Sequence, residues 1–344
     1  MQITDIAKIA GVGVGTVSRV INNHPDVSEK TRAKVKKVIK EHNYVPNNSA
    51  RLLKMNNTKN ICVFVRGIYN PFFSEIIDYI RKEISKAGYF MILQQEDYKN
   101  EIDEIRSMVA IAKENKLKGM ISLGAQLYDI ENELFKDIDV PIVFTSANRL
   151  NGKNAEKFST ISIENTYSAY MGVEHLISKG HKKIAILLGN ENDKGIGNAR
   201  FEGYLKALSD NDIKLNDEYV IYGEFNYKDA YDSTSKLLKK DKNITAIFAI
   251  SDIMAVGAAK AITDNNLKIG EDIALLGFDG MEVTKYYSPS ISTIEQPKEL
   301  LAKESINLLL DLINGKSQNK HIVIDTNLIE RESSIKEFEH NKDI

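Results

Sequence analysis

Residues 3–22 read ITDIAKIAGVGVGTVSRVIN, a stretch whose pattern predicts two short helices joined by a glycine turn. Apolar residues recur at helical spacing, so each helix has one buried face: Ile6, Ile9 and Ala10 in the first, Val17, Val20 and Ile21 in the second. Thr4 is expected to cap the first helix and Gly11 to end it. The rest of the second helix faces away from this core: Val14, Gly15, Thr16, Ser18, Arg19 and Asn22.

A third, strongly basic helix is predicted to begin after Ser28. Its apolar positions are Val35, Val38 and Ile39, and its remaining face is expected to stay in water: Lys30, Arg32, Lys34, Lys36, Lys37 and Lys40. Residues 1–58 hold ten Lys and Arg against four Asp and Glu, although the whole chain has a formal net charge of −2. A solvated lysine-rich helix face explains the third helix alone. Together with the polar face of the second helix, this basic head favours a helix-turn-helix that contacts DNA phosphates.

Four segments resemble the DNA-binding region of the LacI/GalR family of bacterial transcriptional regulators: TVSRVIN at 16–22, VSEKTR at 27–32, YVPN at 44–47 and ARLLK at 50–54. The resemblance implies that the second helix enters the major groove and that a hinge helix pairs with its dimer mate in the minor groove. It implies a guanine-reading role for Arg19. Leu53 corresponds to a leucine wedged between central base pairs. The other DNA contacts expected from the family alignment are Thr4, Tyr44, Arg51 and Lys54.

Two glycines depart from the family pattern. Gly13 stands where a serine usually precedes the recognition helix, and Gly15 replaces a residue that often reads a base. Glycine inside an exposed helix costs up to about 1 kcal/mol relative to alanine. We therefore expect a helix that is weak until it docks, in which Val14 offers only apolar contact and Arg19 makes most of the direct readout.

The hinge segment at 47–58 has a second interpretation. Its flanks, Asn47–Ser49 and Met55–Thr58, are polar and typical of a linker, so the pair Leu52 and Leu53 is also compatible with a disordered connection. The two interpretations differ on whether DNA orders this segment.

The remaining residues alternate between β-branched apolar runs and helical stretches. The runs are at 60–66, 89–93, 118–123, 140–145, 183–188, 244–250 and 273–278. The helical stretches are at 73–87, 103–115, 165–180, 199–210, 228–240 and 253–266. This alternation predicts parallel sheets covered on both faces. The region is longer than a typical domain, which favours two sheets over one.

This body also resembles the family's effector domain, in the segments NPFF (70–73), GHKKIAIL (180–187), ARFEGYLKAL (199–208), SDIMAVGA (251–258), GFDG (277–280) and STIEQP (292–297). The resemblance implies a small all-α head plus an α/β domain of two doubly wound parallel-sheet lobes joined by three crossovers, as in periplasmic sugar-binding proteins. We expect a DNA-binding domain at 1–46, a hinge at 47–58 and an effector domain at 59–338. Lobe 1 is expected at about 60–160 and 293–322, and lobe 2 at about 161–292 and 323–338.

In open parallel sheets, ligands bind where the loops leave the carboxyl ends of the strands. Arg200 and Asp279 are the preferred pair, because a guanidinium and a carboxylate form directional bonds with adjacent hydroxyls. Phe72 or Phe225 offers a flat apolar face to a ring. The other candidates are Phe73, Lys194, Ser251 and Gln296. Each has a plain structural alternative: Asp279 as a helix cap, Arg200 in a surface ion pair, and the phenylalanines as core.

The identity of the ligand stays open. Ser146 and Ile196 differ from the sugar-contacting residues of lac repressor relatives, so a sugar, a sugar phosphate and a purine all remain, with a sugar favoured by family frequency. Catabolite control proteins typically carry arginine before a proline on the surface that meets a phosphocarrier protein, where this chain has Ser288. A phosphocarrier corepressor is therefore not expected.

Several other classes are disfavoured. The six histidines and the single Cys62 show no metal-ligand spacing, and no nucleophile motif is recognisable, so we expect no metal, no cofactor and no enzyme. No apolar run approaches membrane-spanning length and no signal peptide precedes the first helix, which predicts a cytoplasmic protein without membrane contact. The tail after Arg331 lacks leucine heptads, so a homodimer is expected.

We expect ligand binding to shift the two lobes between arrangements and so to change the spacing of the paired hinges. The sequence does not determine whether the ligand weakens or strengthens DNA binding. A ligand that favours the open hinge spacing would act as an inducer, and one that favours the closed spacing would act as a corepressor. Three alternatives remain: a nucleobase-responsive corepressor system, a small-molecule binding module whose basic head meets a protein or RNA, and, more distantly, an α/β enzyme.

Overall fold

The computed structural model describes residues 2–21, 24–42, 44, 59–67, 70–96, 101–125, 133–147, 155–191, 193 and 195–335. The chain divides into two compact units, at 1–58 and 59–344, and each is described by itself. The hinge predicted at 47–58 lies outside the described residues, as do five candidate site residues: Asn22, Arg51, Leu53, Lys54 and Lys194.

The first unit is a three-helix bundle. Helix α1 spans Ile3–Ala10, α2 spans Val14–Ile21 and α3 spans Glu29–Glu41. Gly11 ends α1 with a left-handed φ of 61°, and the Ser28 hydroxyl caps α3 by accepting the Thr31 N–H at 3.4 Å. One buried cluster joins all three helices: Ile6, Ala7, Ala10, Val17, Val20, Val27, Val35 and Val38.

The start and the buried face of α1 differ from the prediction. Gln2, not Thr4, precedes the helix, and the Gln2 N–H donates to the Asp5 carboxylate at 2.7 Å. Ile9 is 47% exposed, whereas Ala7 is buried. The buried face of α1 therefore consists of Ile6, Ala7 and Ala10, and Ile9 lies outside it.

Arg32 also differs from the prediction, because its side chain is only 13% exposed. It donates to the His24 carbonyl at 2.7 Å and pairs with Glu29 at 3.2 Å. The guanidinium therefore ties the loop before α3 to the helix instead of remaining in water.

The first lobe of the second unit is built on a parallel sheet of six strands. The strands are β1 Asn60–Arg66, β2 Phe90–Glu96, β3 Leu117–Leu123, β4 Ile142–Thr145, β5 Ser159–Ile163 and β11 His321–Ile324. They are ordered β11-β5-β4-β3-β1-β2. Its helices are α4 Pro71–Lys86, α5 Glu101–Glu114 and α11 Lys298–Ile313, with short 3₁₀ turns at Glu133–Asp137 and Ala155–Lys157. Separate hydrophobic clusters cover the two faces of this sheet.

The second lobe has the same plan. Its strands are β6 Ile184–Leu188, β7 Val220–Tyr222, β8 Ala246–Ala249, β9 Ala274–Asp279, β10 Ser292–Glu295 and β12 Asn327–Ile329. The order is β12-β10-β9-β8-β6-β7, and only the β10–β12 pair is antiparallel. The helices are α6 Asn165–Ser178, α7 Ile196–Asp210, α8 Tyr227–Lys240, α9 Asp252–Asp264 and α10 Glu282–Tyr286, with a 3₁₀ turn at Asp217–Tyr219.

The chain passes between the lobes three times, after Ile163, after Glu295 and after Ile324. This architecture confirms the predicted fold class. The three boundaries lie two or three residues beyond the predicted ones. Strands β5 and β11 keep the chain in the first lobe as far as Ile163 and Ile324. Thr293 of β10 pairs with Gly277 of the second sheet, so the chain enters the first lobe after Glu295 and not at residue 293.

Two glycines of the head allow a matched test of its helices. A Cβ added at Gly15 meets no atom within 4 Å, whereas Gly11 has a φ of +61° that disfavours any side chain. We expect Gly15→Ala to stabilise the head by up to about 1 kcal/mol and Gly11→Ala to destabilise it by about as much. Hydrogen exchange of α2 amides in the full chain measures both. Equal protection in the two variants would contradict the assignment.

Candidate functional site

The first candidate surface is the outer face of α2. Arg19 and Gly15 are exposed and Val14 is 42% exposed, on the side opposite the buried Val17 and Val20. Thr16 and Ser18 are half-buried on the same helix, and Thr4 is exposed on α1. Exposed lysines add positive charge to the same unit: Lys8, Lys30, Lys34, Lys36, Lys37 and Lys40. Such a surface suits a polyanion.

Tyr44 is the last described residue of this unit. It is half-buried, and its ring packs against the three-helix core and so contributes to the stability of the head. The side chain thus anchors the end of the head.

The second candidate site surrounds Arg200, in the first turns of α7. Its side chain is 4% exposed, and its Nε donates to the Asn165 side-chain oxygen at 2.9 Å. Its Nη1 donates to the Ile250 carbonyl, and its guanidinium lies 3.6 Å from the centre of the Phe278 ring. The guanidinium is therefore held by the first crossover, by the end of β8 and by the end of β9.

Asp279 and Gln296 join this arginine at the carboxyl ends of neighbouring strands. Asp279 ends β9 with an unusual φ of 122°, and its Oδ1 lies 3.8 Å from Arg200 Nη1. Gln296, which follows β10, donates from Nε2 to the same Oδ1 at 2.7 Å. The structure therefore brings together three residues that the sequence placed in the cleft.

Burial dominates the electrostatics of this group. It raises the pKa of Asp279 to about 6, against the opposing effect of the Arg200 charge. It lowers the pKa of Arg200 to about 10, against the opposing charges of Asp279, Asp193 and Asp252. Burying either the Arg200 or the Asp279 charge alone would cost free energy, and the opposite charge nearby reduces that cost.

Sequence reasoning missed Asp252, a second buried carboxylate beside Asp279. Its oxygens accept hydrogen bonds from the Thr293 hydroxyl at 2.7 Å and from the Met281 N–H at 2.6 Å. Burial and then the negative charge of Asp279 raise its pKa well above the usual value. Its only sequence signal is an acidic residue in the first turn of α9, a position that is usually exposed. Asn165 was also missed, because nothing in its sequence context marks it.

Hydrogen-bonding capacity remains unused at the centre of this group. The Gln296 side-chain oxygen is buried without a hydrogen-bond partner. Among the described residues, Nη2 of Arg200 donates to no protein acceptor. Buried polar groups are almost always paired, so an unpaired acceptor beside unused donors indicates the place of a ligand.

The remaining candidates have structural contacts. Ser251 is buried and caps α9 by accepting the Met254 N–H at 3.3 Å. The Phe225 ring packs on Gly189 so closely that a Cβ there would lie 1.9 Å from it. Phe72 and Phe73 belong to a buried cluster that also contains lobe-2 residues, namely Ile253 and Met281.

Lys298 is a further interlobe contact that the sequence did not reveal. Its Nζ donates to the Gly280 carbonyl at 2.6 Å and lies 3.4 Å from the Glu75 carboxylate on α4. Because Gly280 follows β9 and α4 belongs to the first lobe, this ammonium joins the lobes next to Asp279.

A helix-turn-helix head followed by a two-lobed α/β domain, with a buried polar cluster beside the contact between the lobes, is typical of DNA-binding regulators controlled by small molecules. Residues 2–47 match the model of bacterial regulatory proteins of the lacI family, and residues 173–334 match the periplasmic binding protein-like domain. The chain is 51% identical to the HTH-type transcriptional regulator MalR of Clostridium butyricum, over 97% of this chain and 99% of that protein. The chain belongs to the lacI family and is a transcriptional regulator.

Other relatives agree. The chain is 32% identical to the HTH-type transcriptional repressor PurR of Pectobacterium carotovorum subsp. carotovorum (strain PC1), over 96% of each protein. It is similar to a structure of the transcriptional regulator CelR with cellobiose, at 29% identity and a TM-score of 0.72, and to the lac repressor dimer bound to operator and the anti-inducer ONPF, at 27% and 0.75. Both alignments cover 97% of this chain and 99% of the other.

Two absences apply to the described part of the chain. No helix there is both long and apolar enough to cross a bilayer. No group of His, Cys, Asp and Glu side chains there is arranged to hold a metal ion.

The buried acidic pair predicts a pH-dependent stability. Because the folded-state pKa values of Asp252 and Asp279 are raised, their contribution is present at low pH and is lost as the pH rises, for Asp279 through about 6. Asp252→Asn removes one negative charge, and the new amide oxygen still accepts the Met281 N–H. The amide Nδ2 donates to the Thr293 oxygen, because the Thr293 hydroxyl is 3.4 Å from the Ile294 carbonyl and can turn toward it. We expect urea unfolding to show a gain of about 1 kcal/mol at pH 7.

The gain should shrink at pH 5, where the wild-type carboxyls are more protonated. Asp311→Asn, on the exposed side of α11, is the matched control and should change stability little at either pH. An equal effect of Asp252→Asn at both pH values would contradict the assignment.

Proposed function

We propose that this regulator is a repressor that binds a pseudo-palindromic operator as a dimer and is controlled by a neutral sugar in the interlobe cleft. The observation that carries the sugar assignment is the unused hydrogen-bonding capacity of Arg200 and Gln296 beside the Asp279 carboxylate. Donors and acceptors in one buried group match a ligand with several hydroxyls, each of which donates and accepts.

Three features support DNA as the partner of the head. Arg19 is exposed on α2 and has the planar donor pair that binds guanine O6 and N7. The exposed lysines of the same unit supply phosphate contacts. One three-helix head presents few base-reading groups, so two heads on a symmetric site are the natural unit. The lac repressor, to which this chain is similar, was solved as a dimer on its operator.

The composition of the cleft separates the candidate ligands. In the described part of the chain, three carboxylates act on the Arg200 charge: Asp193, Asp252 and Asp279. Lys298 is already engaged by Gly280 and Glu75. A phosphate would meet Asp252 and Asp279 as well as Arg200, so a neutral polyol fits better than a sugar phosphate. CelR was solved with cellobiose, which supports the same class. A purine remains the alternative that the experiment tests.

The mechanism we propose is a ligand-driven population shift between two lobe arrangements. A ligand that bonds Arg200, Asp279 and Gln296 acts next to Lys298, whose hydrogen bond to the Gly280 carbonyl joins the lobes. Binding therefore changes the balance between arrangements of the lobes and, through them, the pairing of two DNA-binding heads. On this proposal the chain acts in the cytoplasm, catalyses no reaction and needs neither cofactor nor phosphocarrier protein.

Arg19→Ala tests the DNA assignment. Loss of a bidentate contact to guanine costs about 1–3 kcal/mol per head, so we expect operator affinity to fall by at least about tenfold and sequence discrimination to weaken. Lys36→Ala, an exposed charge on α3, is the control and should weaken specific and random DNA about equally. Fluorescence anisotropy with a selected palindrome and a random duplex, over a salt series, measures both. Wild-type protein that does not prefer the palindrome would favour a protein or RNA partner.

Asp279→Asn tests the cleft. We expect the wild type to be stabilised in thermal shift by one or more of glucose, ribose, maltose and cellobiose. The variant should bind that sugar at least about tenfold more weakly, because it loses a charge-assisted acceptor. Asp311→Asn should retain wild-type affinity. Stabilisation by guanine or hypoxanthine and by none of the sugars would overturn the sugar assignment while leaving the DNA assignment intact.

A further inference from the structure

A second cavity, of about 390 Å³, lies between the lobes beside the first crossover. The first lobe lines the cavity with residues of β5 and β11: Thr160, Ser162, His321 and Val323. The end of β5, the crossover and the second lobe contribute the rest: Ile163, Glu164, Asn165, Thr166 and Ala199. The volume is within the range of small-molecule pockets.

The direction of the strand side chains places this cavity on one face of the first sheet. Along β5, Ile161 packs into the cluster formed with α4 and α11, so Ser162 points to the opposite face. Val323 of β11 pairs with Ser162 in register and shares that face. The cavity therefore lies on the face of the β5–β11 edge away from those helices. Arg200, Asp279 and Gln296 do not line it.

Several polar groups of the cavity are available to a ligand. Ser162 is 7% exposed, and in the described structure neither its hydroxyl nor that of Thr166 has a hydrogen-bond partner. The Glu164 carboxylate is exposed and unpaired in that structure. Each of these hydroxyls can both donate to and accept from a ligand hydroxyl, and the Glu164 carboxylate can accept from one.

The lining also limits the chemistry of the ligand. Glu164 is the one carboxylate among the nine lining residues, and none of the nine is a lysine or arginine. A phosphate or carboxylate would have no permanent cation to pair with. Ile163, Ala199 and Val323 provide apolar surface for the C–H face of a ring or chain. Hydroxyls, one carboxylate and apolar patches together fit an uncharged polyhydroxylated molecule.

We propose that this cavity is a second small-molecule site, separate from the Arg200 cleft, that binds a neutral sugar or sugar-sized polyol. The two sites share one hydrogen-bonded residue, because Asn165 lines the cavity and its side-chain oxygen accepts the Arg200 Nε at 2.9 Å. The site also contacts both lobes, so its ligand binds one arrangement of the lobes better than another. The proposal stands whether or not the cleft binds a sugar.

The test uses the full chain and isothermal titration calorimetry with glucose, ribose, maltose and cellobiose. Ser162→Leu fills the cavity, and Asp279→Asn impairs the cleft. We expect at least one sugar to bind at the cavity, and this binding should have the same affinity in Asp279→Asn as in the wild type. Ser162→Leu should abolish it. The proposal is overturned if no sugar binds at millimolar concentration, or if all binding is lost in Asp279→Asn and unchanged in Ser162→Leu.

A second pair of variants tests the cavity even if Ser162→Leu fails to fold. Glu164→Gln removes one exposed carboxylate acceptor, and Glu156→Gln changes another exposed carboxylate, which is outside the lining. The first should weaken the cavity event about tenfold and the second should leave it unchanged. Equal affinities in both variants would also overturn the proposal.

Discussion

The buried guanidinium of Arg200 is the interaction on which the effector domain depends most. A cation that is 4% exposed is tolerated only with close partners, and these come from separate parts of the chain: Asn165 after the first crossover, the Ile250 carbonyl after β8, and Asp279 at the end of β9. Each partner lies at the carboxyl end of a strand or just beyond it. The geometry of the charge is therefore correct only when the second sheet and the first crossover are both in place.

The same constraint explains why Asp252 and Asp279 lie together. Either carboxylate alone would be costly at this depth, and their mutual repulsion adds to the cost. Arg200, Gln296, Thr293 and backbone N–H groups offset it in part. Not every polar group of this cluster is paired, because the Gln296 side-chain oxygen has no hydrogen-bond partner. A site of this kind gains more from a hydroxyl ligand than a fully paired one, because the ligand completes bonds that the protein lacks.

The sequence predicted most of the long apolar elements and missed the short ones, although the predicted helical stretches also lacked the 16-residue α11. Strand β1 appears where NICVFVR predicted it, since seven consecutive residues form a buried parallel strand. Strands β7 and β12 have three residues each, too few for a periodic signal. The cleft pair Arg200 and Asp279 came from family position and loop geometry. Asp252 and Asn165 were not recognisable, because their roles arise from tertiary neighbours 29 to 41 residues away.

On the proposal that α2 reads DNA mainly through Arg19, control by the effector domain has a large effect on the choice of DNA site. A good bidentate contact discriminates by about 1–3 kcal/mol, and specific sites are typically preferred over random DNA by about 4–10 kcal/mol. Gly15, Val14 and Arg19 are exposed on α2, and on this proposal only Arg19 among them makes a bidentate base contact. Two heads must therefore act together, and the remaining preference must come from DNA shape or the segment that follows the head. On the proposed mechanism, a ligand that changes how two heads pair removes most of the discrimination between specific and random DNA.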